Sequence, residues 1–265
     1  MTTVKEIYDF IDSVAPYRTQ DSWDNSGLLV GDGDEVVTKA LCALDASIPA
    51  ILEAERLGCQ LVLTHHPVIF DPLRSLDSKV PAALLFKKGI ACISSHTNLD
   101  SAEYGISDMM VDRLGLRNLH KIIDINREDP VTGRKVGYGA IGEADHEMTP
   151  EELAKLCRER FNCIAIKYVP GNRAIKTVGM ISGAGGSYVT NAHALGCDAY
   201  VSGDVKQQDF IEAERLGITL IDAGHFETET IAMEYFKEKL GERFPEVEFV
   251  VSKESFLAKT VGCGG

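Results

Sequence analysis

The sequence predicts an α/β fold, with mixed or parallel sheets flanked by helices and an internal duplication. Two observations carry this. Short apolar strands alternate with helical segments along the 265 residues, the pattern of layered α/β architectures. A helix–Gly–strand–polar unit also recurs four times. Glu53-Ala54-Glu55-Arg56-Leu57-Gly58 and Glu212-Ala213-Glu214-Arg215-Leu216-Gly217 are identical, and each runs into an apolar strand, setting His66 opposite His225. The stretches Ala194–Asp204 and Lys88–His96 repeat the pattern. In each copy the glycine supplies a left-handed helix cap. The strand after it ends in a polar residue, so His65, His66, His96, Asp204 and His225 fall at the C-terminal ends of strands, where open α/β sheets form their sites.

The elements follow in order. Val4, Ile7, Tyr8, Ile11 and Val14 trace an amphipathic helix within Met1–Pro16, which lacks the features of a signal peptide. Strands are expected at Gly27–Val30, Ala40–Leu44, Leu61–Thr64, Ala91–Ser94, Lys121–Ile125, Val136–Gly142, Ile164–Tyr168, Val178–Ser182, Tyr200–Ser202, Leu220–Asp222 and Val247–Val251. Thr149-Pro150-Glu151-Glu152 is a capping box with proline at the first helical position. The turn-rich segment Arg127–Arg134 reads as a lobe junction.

Composition narrows the function. A net charge of −13 argues against a broad basic surface for nucleic acid. No apolar run approaches the roughly 20 residues of a membrane span, and the expected location is the cytoplasm. The seven cysteines form no Cys-x-x-Cys pair and read as buried reduced thiols. Cys263, in the Gly-Cys-Gly-Gly tail, is expected to be exposed.

Four segments carry candidate chemistry. Thr64-His65-His66-Pro67 is either a metal-ligand pair or an exposed structural pair. Neighbours in an extended chain point to opposite sides, so two such histidines suit two adjacent metals better than one. In Asp222-Ala223-Gly224-His225-Phe226-Glu227-Thr228-Glu229, a helix starting near His225 places Glu229 one turn on, on the same face. Glu227 reads as a first-turn acid on the helix dipole. In Ser94-Ser95-His96-Thr97-Asn98-Leu99-Asp100, Asp100 is a ligand or an N-cap. His96 is a ligand, an orienting partner, a proton shuttle or a structural histidine; a role beside the site is favoured. Ser182-Gly183-Ala184-Gly185-Gly186-Ser187 is either an anion cradle or a tight turn. Asp24, Asp45, Asp204 and Asp222 are open between ligand, orienting and turn roles. Neither a Gly-x-Ser-x-Gly elbow nor a Walker loop is present.

Together with Trp23-Asp24-Asn25-Ser26-Gly27-Leu28 and Ser202-Gly203-Asp204, these segments resemble the NIF3-like family, also labelled GTP cyclohydrolase 1 type 2 homologues, nearly end to end. The resemblance implies two intertwined α/β lobes and a ring-shaped homohexamer. The expected lobes are 1–126 with 226–265, and 127–225, with a metal site between them. The implied ligands are His65, His66, Asp100, His225 and Glu229, holding two divalent metal ions per chain (Zn, Fe, Mn, Co or Ni). The implied activity is metal-dependent hydrolysis of a nucleotide-like or other small substrate by a metal-bridging water, with His96 relaying a proton. The alternative is a non-catalytic metal-binding assembly for storage, sensing or partner recruitment. Longer relatives carry an inserted domain for which this chain has no room. Relatives also often show a histidine-containing stretch where this chain has Val205-Lys206-Gln207-Gln208.

Overall fold

The computed structural model describes residues 1–77 and 79–254. Among the described residues, thirteen strands run in chain order: β1 (Gly27–Val30), β2 (Lys39–Ala43), β3 (Leu61–Thr64), β4 (Ala91–Ser94), β5 (Arg117–Asn118), β6 (Asp124–Glu128), β7 (Lys135–Tyr138), β8 (Ala140–Met148), β9 (Lys167–Val169), β10 (Ile175–Met180), β11 (Ala199–Ser202), β12 (Thr219–Asp222) and β13 (Glu248–Val251). The chain divides into two units, Met1–Thr97 with the segment from Met233 onward, and Asn98–Ala232.

The first unit is built on a five-stranded sheet in the order β1-β4-β3-β2-β13. The central pairs β2–β3 and β3–β4 are parallel, as is β13–β2, and β1 runs antiparallel to β4. Strands β2, β3 and β4 are almost wholly apolar and buried, as a parallel sheet covered on both faces requires. Leu41, Val62 and Cys92 pack with Ile51 and Leu85 from the helices Ile48–Leu57 and Pro81–Lys88. Both helices stop at a left-handed glycine, Gly58 and Gly89.

The second unit holds a six-stranded sheet, β5-β8-β10-β11-β12-β9, and a hairpin, β6-β7. Here β10, β11 and β12 are parallel, while β8 and β9 run antiparallel to their neighbours. Its core gathers Ile141, Ile181, Tyr200, Ile218 and Leu220. Thr149 caps the helix Pro150–Arg160 through the expected capping box.

The duplication is visible in the winding. The order β1-β4-β3-β2 recurs as β9-β12-β11-β10, with the same antiparallel pair at one end and the same parallel pairs after it. By this order β12 is the counterpart of β4, and β11 of β3. The six-residue identity instead matches the segment before β3 with the one before β12. A helix–glycine–strand unit recurs at every step of an α/β winding, so local identity does not fix which step is which.

Several boundaries differ from the sequence reading. The segment expected as one strand over Val136–Gly142 is broken at Gly139, whose φ is +88° and where a Cβ would stand 2.7 Å from Ile181 Cγ1. The segment Arg127–Arg134 is not a junction but the end of the β6–β7 hairpin. Asp129 accepts from Val131 N and Thr132 Oγ1, and Gly133 takes φ +70°, so the polar turn chemistry closes a hairpin inside one unit. The strand expected over Lys121–Ile125 forms at Asp124–Glu128. The six cysteines among the described residues are free and buried; Cys263 lies outside those residues. No helix among them is long and apolar enough to cross a membrane.

Candidate metal centre

In the first unit, β3 and β4 deliver three histidines to one edge. Strand β3 ends at Thr64, and the amides of His65 and His66 both donate to the Leu44 carbonyl, at 3.2 and 3.0 Å. The chain therefore turns, and the alternation expected of an extended pair does not hold. The two imidazoles lie 5.1 Å apart between centroids, and the His96 ring, carried past the end of β4, lies 5.1 and 5.5 Å from them. Each of the three offers a ring nitrogen within 4.8 Å of the others.

Oxygen atoms fix the orientation of each ring. His65 is fully buried, and its Nδ1 lies 2.8 Å from the Ser95 carbonyl. A carbonyl only accepts, so Nδ1 carries the hydrogen, and in its neutral form the ring presents its lone pair at Nε2. His66 Nδ1 meets Asp45 Oδ1 at 2.8 Å, and His96 Nδ1 meets Asp24 Oδ1 at 2.9 Å. This is the arrangement that holds metal-ligating histidines in one tautomer. Burial raises the pKa of Asp24, but bonds from His96 and Thr97 outweigh it and hold the carboxyl well below its usual range.

The second unit supplies the carboxylates. A helix spans His225–Glu229, opened by Gly224 at φ +84°, and places His225 Nε2 3.0 Å from Glu229 Oε2. The Glu229 side chain is 5% exposed. His225 Nδ1 in turn meets Asp204 Oδ2 at 2.8 Å. The bond to Glu229, opposed by burial and reinforced by Asp204, raises the His225 pKa to about 9. Glu227 sits in the first turn of the same helix, as expected of a dipole-favoured acid. Asp100 closes the short helix Thr97–Asp100 instead of capping it, and accepts from Ser182 Oγ at 3.3 Å.

The Ser182–Ser187 loop turns tightly after β10, with Gly183 at φ +60°. Gly183 N donates to Thr228 Oγ1 and Gly185 N to Ser202 Oγ, so two of its amides are already committed to hydroxyls. Its glycine serves closeness: a Cβ on Gly183 would stand 2.1 Å from Glu229 Oε1 and 3.4 Å from His225 Nε2. Asp222 accepts from Gly224 N at 3.2 Å, a turn contact.

Sequence reasoning named the histidines and the two carboxylates, and the structure gathers them in each unit. It did not assign the orienting roles of Asp24, Asp45 and Asp204, or find the support from Thr228. Asp45 and Asp204 follow the ends of β2 and β11, so the strand-end rule that exposed the histidines reaches them too. Imidazoles tethered at Nδ1, with a His–Glu pair at one-turn spacing whose carboxylate is buried, form a donor set that fits a divalent metal.

The chain is similar to known proteins over nearly its whole length. The family model described as Duf34/NIF3 (NGG1p interacting factor 3) matches residues 2–256. A Clostridium perfringens protein named GTP cyclohydrolase 1 type 2 homolog is 33% identical over 258 residues, covering 95% of this chain and 97% of its own length. A Methanocaldococcus jannaschii protein of the same name is 32% identical over 240 residues, covering 89% and 93%. Among solved structures, the Staphylococcus aureus hypothetical protein SA1388 matches with a TM-score of 0.86 at 28% identity, covering 97% of this chain and 99% of that one. Reduced HcgD from Methanocaldococcus jannaschii matches at 0.79 and 28%, covering 95% and 98%.

Proposed function

Because this chain belongs to the Duf34/NIF3 family, we propose that it binds two divalent metal ions through His65, His66, Asp100, His225 and Glu229 and is a metal-dependent hydrolase of a nucleotide-like or other small substrate. The observation that carries this reading is the tethering of His65, His66 and His225 at Nδ1 by an oxygen acceptor, which turns the opposite nitrogen of each ring toward a ligand. Five donors exceed the three that a single open catalytic metal takes, which favours two ions. Once bound, such ions polarise the electrophile and generate hydroxide near neutral pH.

The chain's own residues have separate tasks. Asp45 and Asp204 hold His66 and His225 in register. Glu229, with two carboxylate oxygens, would help to hold the ions. His96, backed by Asp24, carries a proton at its Nε2 to or from the substrate. The curated relatives bear the name of a GTP cyclohydrolase homologue, which makes GTP the first substrate to try. The working assembly in this reading is a homohexamer.

Elemental analysis of the purified protein beside Glu229→Ala tests the centre, followed by GTP turnover with the metal so identified. About two metals per chain, falling sharply in the variant, together with turnover, support the reading. A protein that takes up no Zn, Fe, Mn, Co or Ni on reconstitution overturns it. Full metal occupancy without turnover of any nucleotide leaves a metal-binding assembly without catalysis.

A further inference from the structure

Trp23 is the only tryptophan of the chain, and 56% of it is exposed. Phe70 is 49% exposed. Their rings lie 5.8 Å apart between centroids, and they stand 5.8 and 6.2 Å from the His96 ring. Exposed aromatics are ordinary when scattered. A pair of them flanking one imidazole of a histidine cluster is a defined surface.

That surface is also held in place. Asp24, next to Trp23, accepts from His96 Nδ1, from Thr97 N at 3.0 Å and Oγ1 at 2.5 Å, and from Ser26 Oγ at 3.1 Å. Asn25 Nδ2 donates to the carbonyl of Ile69, the neighbour of Phe70, at 2.6 Å. The amide of Asp21 donates to Thr97 Oγ1 at 2.9 Å. The two loops bearing the aromatics are thus tied to each other and to the residues around His96. The rings are pre-positioned while about half of each residue stays exposed.

We propose that Trp23 and Phe70 form an aromatic wall that receives a planar heteroaromatic ring of the substrate beside His96, and that they set the substrate class of the site. The inference rests on the reading of the histidine cluster as a reaction centre. Both residues offer uncharged π faces and apolar edges, so they grip a flat ring and bring no charge with which to hold a bare phosphate. Stacking tolerates many ring types, so the wall selects for planarity and leaves the finer choice to other groups.

The single tryptophan makes the test direct. Guanosine, adenosine and nicotinamide are titrated against intrinsic fluorescence, with ribose 5-phosphate and inorganic triphosphate as ring-free probes. Saturable quenching by at least one ring compound and by neither ring-free probe is expected. Phe70→Leu should weaken that binding about ten- to hundred-fold, the range of one base–aromatic stack. Trp23→Leu, followed by calorimetry, should do the same, with Trp23→Phe restoring most of it. Metal content stays at the native level in all three variants, which separates this test from that of the centre itself. Absence of quenching by every ring compound, equal quenching by ring-free probes, or unchanged calorimetric binding in Trp23→Leu overturns the proposal. A change of particle mass in Trp23→Leu with ring binding intact also overturns it, and assigns the pair to contact between copies.

Discussion

Gly183 and Glu229 approach so closely that no side chain fits between them: an added Cβ would stand 2.1 Å from Glu229 Oε1. Gly183 also has φ +60°. Gly183→Ala should therefore displace a buried carboxylate as well as strain the backbone. Gly58 offers the control, with φ +70° and nothing within 4 Å of an added Cβ. Gly58→Ala should cost about 1 kcal/mol, the penalty for an L-residue in the left-handed region. Gly183→Ala should cost more and lower metal content as well. Urea denaturation and elemental analysis of both variants check this; equal losses would remove the claim that Gly183 makes room for Glu229.

The carboxylates behind the histidines give a second expectation. Asp45→Asn and Asp204→Asn keep the size of the side chain but weaken its hold on His66 and His225. Metal affinity should fall about 10–100-fold in each, as for other residues that orient metal ligands, with folding intact. Competition against a chromophoric chelator measures the change, and circular dichroism checks the fold.

Asp198 gives a pH dependence away from the candidate centre. It accepts from Lys176 N, Thr177 N and Thr177 Oγ1 and pairs with Arg173. Burial raises its pKa, but these bonds outweigh burial and lower it below the ordinary aspartate value. A lowered folded-state pKa stabilises the protein above the unfolded value near 4, and that contribution disappears as pH falls through the folded value. Asp198→Asn should thus cost about 1–2 kcal/mol at pH 7, with the gap from wild type closing below pH ~4. Chemical denaturation at a series of pH values shows whether the gap closes.

The thiols should be inert. Burial pushes Cys42, Cys92 and Cys163 up to about 12 and Cys59 and Cys197 up to about 11, and raises Cys157 too. Thiolate is the reactive form, so iodoacetamide at pH 8 should leave these six unmodified in the native state and label them after denaturation. Peptide mass spectrometry reads both conditions.

The sequence by itself determined the parts of this protein that depend on short-range rules. Apolar runs bounded by glycine marked β1, β3, β4, β11 and β12 nearly to the residue, and the strand-end rule picked out His65, His66, His96 and His225. The one-turn spacing of His225 and Glu229 made them neighbours as soon as a helix formed there. The tertiary structure decided what depends on partners distant in the chain. It split the expected Val136–Gly142 strand at Gly139, because β7 pairs with β6 while β8 pairs with β10 and β5 in another sheet. It matched β12 with β4 instead of β3, because strand order is set by sheet pairing and not by local identity. It also gave Asp24, Asp45 and Asp204 their imidazoles across 72, 21 and 21 residues of chain. A carboxylate's role follows from which donor the fold brings within 3 Å of it, and sequence spacing carries no record of that.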